Sequence, residues 1–250
     1  MHLGNGAVTP ECAALGFAVA TAGLGASAWS LAKAKERPAL GKALALGGLV
    51  FAAQMLNVPV LADCSAHLVG GVLVAALLGP ASAALTMATV LFLQAVLLGD
   101  GGLAALGVNI VNMALVPAGL WLALRSTRLP QPALLAAAAS VAIVAAVLLI
   151  SGEVALGRRG SELATWPQFV QALAINHLPV LALEGVLTIA LVAAWRRLER
   201  TSTRPVWQMP LAATGVAFAV LAVALAASSS LDDGYESAAR SSGWERLLAD

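Results

Sequence analysis

The sequence predicts an all-α polytopic membrane protein: a bundle of seven core transmembrane helices plus one C-terminal transmembrane helix, with its N-terminus extracytoplasmic. Three observations predict this. Of the 250 residues, 60% are hydrophobic and 11% are charged, and mean hydropathy is +0.88, whereas a soluble domain carries roughly 25% charged residues. Apolar runs repeatedly approach the ~20 residues needed to cross the hydrocarbon. The densest basic clusters, KAKER from Lys33, RSTR from Arg125 and WRRLER from Trp195, follow the first, fifth and seventh runs, which places them together on the cytoplasmic side.

The runs fall near 11–33, 39–56, 66–78, 81–98, 103–124, 131–150, 167–195 and 208–228. Gly79 and Pro80 divide the short third run from the fourth, and one long helix across both is the competing reading. Basic clusters share one side only if 66–78 and 81–98 each cross. The loop at 57–66, the GDGG turn at Asp100, the loop of Arg158 and Arg159, and the tail are then external. That arginine pair is the one violation of the positive-inside rule. With no basic region before the first run and no cleavage pattern, the start reads as the mature terminus. Bulky His2 predicts a retained Met1 with a free α-amine. A net charge of +1 gives no indication of nucleic acid as a partner, and Cys12 and Cys64 are too few for a disulfide framework.

The candidate chemistry lies in the histidines. His2 and His67 fall on the same predicted face, and an ionisable group at a membrane helix end marks a candidate site; the competing reading is a hydrogen-bonded packing histidine. Met-His at a free terminus offers the Met1 amine, the His2 amide nitrogen and His2 Nδ1 in fused chelate rings. His67 is the natural fourth donor. Four nitrogens in a plane suit Ni(II) or Cu(II) and accommodate Co(II). Gly4 and Gly6 let the terminal strand fold back.

The runs FAAQMLNVPV (51–60), SAHLVGGVLVAALLGPASAAL (65–85), LFLQAVLLGDGGLAALGVNIVNMALV (91–116) and NHLPVLALEGVLT (176–188) resemble the CbiM/NikM family. These are substrate-capturing subunits of energy-coupling factor transporters for cobalt and nickel. The resemblance covers most of residues 1–200. It implies a bundle whose ion, Ni(2+) or Co(2+) as transported substrate, is held near the outer face by Met1, His2 and His67. It also implies a transmembrane coupling subunit, two cytosolic ATPase subunits and the inner membrane of a bacterial or archaeal cell. Members commonly have an acid where this chain has Asn5, and G-G-T-S-G-H where it has Ala62 to His67, so Asp63 is expected to offset charge in place of an acid at Asn5. Cys64 falls where the family usually has Thr, and is expected to pack.

Residues 1–200 are thus read as the metal-binding bundle, 201–230 as an additional transmembrane helix and 231–250 as a polar external tail. In the tail, Asp233, Gly234 and Glu236 resemble the D-G-x-E segment of a CbiN/NikN-type small companion membrane subunit; a solvated polar tail is the alternative. His177 and Glu184, seven apart on one helix face, are expected to pair or to support the site from behind. Asn57 and Ser65 are expected to brace the His67 loop, and Gln54, Gln94, Asn109 and Asn112 to bond between helices. Ala18, Ala22 and Ala26 form a small-residue face that suits close packing, toward another subunit or within the bundle.

No G-x-x-x-x-G-K-[ST] motif occurs, so the chain is not expected to be an enzyme, and energy for transport has to come from partners. One rival is a secondary transporter or channel using His177 and Glu184 as a proton relay. The other, an intramembrane serine enzyme at Ser27, lacks the second glycine of such a motif.

Overall fold

The computed structural model describes residues 2–201 and 230–248. The order is α1 (Pro10–Lys33), α2 (Leu40–Gln54), β1 (Val58–Leu61), β2 (Cys64–Ala66), α3 (Gly71–Leu78), α4 (Pro80–Leu97), α5 (Leu106–Ile110), a π turn (Val111–Leu115), α6 (Val116–Leu124), α7 (Gln131–Ala155), α8 (Trp166–Thr201) and α9 (Gly234–Ser241). Among the described residues, five stretches are long and apolar enough to cross a membrane: α1, α4, α5 to α6, α7 and α8. The predicted eighth span, at 208–228, lies outside the described residues, as does Met1.

Local chemistry sets the boundaries. Thr9 caps α1, its hydroxyl accepting the Cys12 N–H at 3.3 Å, and Pro10 takes the first turn, where a missing N–H costs nothing. Gly79, at φ +81°, ends α3, and Pro80 starts α4. The two helices pack against each other, as a break rather than one long helix requires. The helical part of the third run is nevertheless shorter than expected. Eight residues at 1.5 Å each give about 12 Å, too little to cross alone, because residues 58–66 instead form a two-stranded antiparallel hairpin and 67–70 enter the bundle without helical structure.

Close approach is built from small residues. A Cβ on Gly16 would sit 2.5 Å from a Val108 methyl, and one on Gly107 would strike the Phe17 backbone, so α1 and α5 meet main chain to main chain. This inner face of α1 is Cys12, Gly16 and Ala20. Ala18, Ala22 and Ala26 are exposed on the other side. So are Leu15, Phe17, Leu148 and Val186 on the helix exteriors, the pattern of a lipid-facing surface.

One end of the bundle gathers the N-terminal segment, the β hairpin, the Asp100 turn, the α7 to α8 loop and the tail. The tail is folded onto the bundle rather than solvated. Tyr235, Trp244 and Leu247 are each at most 2% exposed, and Phe169 of α8 meets Tyr235 edge-on at 6.2 Å and stacks on Trp244 at 5.5 Å.

Candidate metal centre

The N-terminal segment is held like a strand without a sheet. Asn109 on α5 offers both amide atoms to Leu3, accepting its N–H and donating to its carbonyl, each at 3.0 Å. Leu3 O also takes the Gly102 N–H at 2.9 Å. Asn5 Oδ1 accepts the Ala104 N–H at 2.8 Å, so Asn5 fastens the strand to the Asp100 turn. Arg158 Nη2 donates to the carbonyls of Gly6 and Ala7 at 2.9 and 3.1 Å. The arginine that breaks the charge rule is therefore a structural clamp. Its guanidinium also lies 5.9 Å over the Trp244 ring, joining the N-terminal segment to the tail.

This framework places the two histidines together. The His2 side chain is 5% exposed, and its Nδ1 lies 3.1 Å from Asp100 Oδ1. Burial opposes ionisation of Asp100, but the hydrogen bond and charge of His2 outweigh it and hold the carboxyl below its ordinary value. His67 follows β2 and is 7% exposed, and its ring stacks on His2 with centroids 5.5 Å apart and planes 19° apart. His67 Nδ1 meets the Leu68 carbonyl at 3.1 Å. That bond puts the ring proton on Nδ1 and makes Nε2 the electron-pair donor, the usual way a second partner fixes a ligating imidazole.

Two helices pin the chain just past His67. Glu184 of α8 receives the N–H of Val69 on one carboxylate oxygen and that of Gly70 on the other, both at 2.8 Å. Gln54 of α2 donates Nε2 to the Val69 carbonyl at 2.8 Å. The expected pairing of His177 with Glu184 is not formed. His177 Nδ1 bonds to Leu173 O at 2.7 Å, and its ring abuts Gly234, where any Cβ would come within 2.8 Å. One helix face separates their jobs: Glu184 holds the His67 loop, and His177 seats the tail.

Ser65 likewise braces the tail instead of the His67 loop, its N–H and hydroxyl donating to Asp232 O at 2.7 Å and Leu231 O at 2.8 Å. Asp233 then caps α9 in a capping box, accepting the N–H groups of Tyr235 and Glu236 while Glu236 takes the Asp233 N–H.

A cavity of about 250 Å³ opens at this end, lined by His2, His67, Gln54, Asn57, Asp100 and the tail residues Asp233 and Glu236, among others. Asp63 is exposed at the hairpin tip and does not line it. The carboxylates that do line it are Asp100 and the tail's Asp233 and Glu236, none of which the sequence reading assigned to the site. Gly99 and Gly101, at φ +68° and +89°, frame Asp100, so a lone acid in a glycine turn was the available signal. Cys64 is 1% exposed; burial, with Asp233 adding, pushes its thiol up to about 11, which suits packing better than a thiolate. Among the described residues no three His, Cys, Asp or Glu side chains come close enough to hold an ion alone.

Comparison with known proteins gives the family. Residues 2–202 match the model of the CbiM family, "Cobalt uptake substrate-specific transmembrane region". The cobalt transport protein CbiM of Moorella thermoacetica is 31% identical over 184 residues, 68% of this chain and 71% of that one. The fused nickel transport protein NikMN of Rhodobacter capsulatus is 35% identical over 121 residues, 46% of this chain and 33% of that one. Of a fused NikMN-type relative from Archaeoglobus fulgidus, 42% identical over 116 residues, the match spans 38%. A crystal structure of a transition metal transporter superposes with a TM-score of 0.67 at 26% identity, covering 84% of this chain and 99% of that one. The chain belongs to the CbiM family of cobalt uptake substrate-specific transmembrane proteins.

Proposed function

We propose that the chain is the membrane-embedded metal-capturing component of an ATP-driven energy-coupling factor importer for nickel or cobalt ions, with its histidine end facing outward. The observation that carries this reading is the stacking of His2 and His67 at one cavity, with His67 Nε2 set as donor. Two imidazoles are too few for a transition ion, and among the described residues no three His, Cys, Asp or Glu side chains form a set that could hold one. Backbone and terminal nitrogens are the remaining donors. The Met1 amine and the His2 amide with His2 Nδ1 then complete a planar four-nitrogen set, which suits Ni(II) or Co(II).

His2 Nδ1 is bonded to Asp100, so chelation through that atom requires Asp100 to release it. The tail lines the same cavity and acts as the companion-like closure of the site. The exposed Ala18, Ala22 and Ala26 face offers close packing to a coupling subunit, with two cytosolic ATPases supplying the energy. The proton-relay alternative finds no support, since His177 and Glu184 bond to different backbone groups.

Acetylating the Met1 amine tests the reading. It ties up that nitrogen's electron pair, so nickel and cobalt binding by the purified protein should fall by at least about a hundredfold, the loss of a metal donor. Unchanged affinity would refute it. Transport that survives removal of the ATPase partners would favour a secondary transporter instead.

A further inference from the structure

The end of the bundle opposite the cavity has its own chemistry. α1, α6 and α8 finish there, and α2 and α7 begin there; along the 24 residues of α1 it lies about 36 Å from the other end. The stretches 33–42, 125–128 and 196–200 lie at this end and hold nine of the chain's 14 Lys and Arg residues, against two acids, Glu36 and Glu199.

Some of these cations have partners within the fold. Lys42 pairs with Glu199 at 2.8 Å, which sets the last turn of α8 beside the first turn of α2 and joins two of the stretches into one surface. Arg37 Nη2 donates to the Ala32 carbonyl at 2.6 Å, and Lys33 Nζ lies 4.0 Å over the Trp29 ring. Lys35, Arg125, Arg128, Arg197 and Arg200 are exposed, and among the described residues none of them forms an ion pair. The helix dipole accounts for Arg200, in the last turn of α8. It does not account for Lys35 and Arg128, which stand beyond helix ends.

Large apolar side chains stand among the charges. Trp29, Leu40, Leu44 and Leu198 are 63, 74, 68 and 51% exposed. An acidic face on another protein would answer the cations and leave the leucines in water, whereas a bilayer answers both, covering the leucines with hydrocarbon and the cations with its headgroup layer. Trp29 suits the boundary between the two.

Independently of which ion the chain carries, we propose that this end binds the phosphate headgroups of anionic phospholipids. Lys35, Arg197 and Arg200 make the contacts where the α1 to α2 loop meets the end of α8, and the Lys42 to Glu199 pair braces the surface from within.

The test uses the full chain, purified and reconstituted in phosphatidylcholine bilayers. Electron paramagnetic resonance of spin-labelled lipids reads how strongly phosphatidylglycerol and phosphatidylcholine each associate with the protein. A cation that engages a headgroup is worth about fivefold; averaged over all lipids around the protein, phosphatidylglycerol should be preferred by at least about twofold at ~0.1 M salt. The preference should vanish at ~1 M salt, where the screening length is about 3 Å. The triple variant Lys35→Gln, Arg197→Gln, Arg200→Gln should lose at least about half of it and leave phosphatidylcholine association unchanged, which shows that the variant is folded.

A wild type that does not distinguish the two lipids overturns the proposal and leaves the patch to an acidic protein. So does a triple variant with full preference, or an Arg159→Gln variant, changed at the cavity end, that loses as much as the triple variant. Loss of the preference in inorganic phosphate at constant ionic strength overturns it too, since the surface would then be one for the free anion.

Discussion

The imidazoles of His2 and His67 lie face to face, centroids 5.5 Å apart, although one belongs to the terminal strand and the other to the loop before α3. If both ligate one ion, His67→Ala removes a nitrogen that nothing nearby replaces. Nickel affinity measured by calorimetry should drop by at least about a hundredfold, or roughly 3 kcal/mol. A drop under about threefold would mean that the pair packs and does not bind.

Asp100 tests which of two opposing effects prevails. Asp100→Ala frees His2 Nδ1 from a hydrogen bond worth about 1 kcal/mol, but it also removes a negative charge beside the ion. At an effective dielectric of about 20 and a separation of about 5 Å, that charge is worth roughly 3 kcal/mol per unit of ion charge. With the ionised His2 amide offsetting one of the ion's two charges, about 2 kcal/mol remains, so charge prevails and metal affinity should fall by about ten- to a hundredfold. Tighter binding in the variant would show that competition for Nδ1 is the larger effect.

Glu184→Ala leaves two buried N–H groups, on Val69 and Gly70, without acceptors. At about 1–3 kcal/mol for each unsatisfied group, denaturation in micelles should show a loss of about 3 kcal/mol, with weaker metal binding because His67 lies two residues upstream. Glu184→Gln keeps an acceptor for one of the two and should fall between wild type and alanine. Equal stability of all three proteins would contradict the clamp.

Cys64 reports on the tail. Its thiol lies beside Asp233 and is shifted up from 9.0 to about 11, so in a Cys12→Ala background the thiolate at pH 8 is about one part in a thousand. Maleimide labelling should be slow and should quicken about tenfold per pH unit up to about pH 10. Gly234→Ala forces a methyl against His177 and lifts the tail, which exposes the thiol and lowers its pKa. Labelling at pH 8 should accelerate at least about tenfold; an unchanged rate would mean that the tail stays seated.

Much of the helical plan was legible because apolar length and basic clusters respond to the bilayer directly. The His2 and His67 pair was legible because a terminal Met-His is a chelator by covalent structure alone. What stayed hidden depends on partners distant in the chain. VPVL and CSA are too short to announce a hairpin, and α3 lost its first turn to them. Asp100 and Gln54 carry no motif of their own; each gains its role from a neighbour elsewhere in the chain, His2 for Asp100 and Val69 for Gln54. His177 and Glu184 share a helix face as periodicity requires, yet face separate loops, and periodicity says nothing about what lies opposite.

The π turn at Val111–Leu115 carries one residue more than an α turn would use. The wider turn absorbs that residue, so α5 and α6 keep nearly the phase an unbroken α-helix would give them. Asn109 can then face Leu3 on one side of the turn while α6 keeps its packing against α7 on the other. A homologous sequence one residue shorter there would carry a plain α-helix and still turn its amide toward the terminal strand.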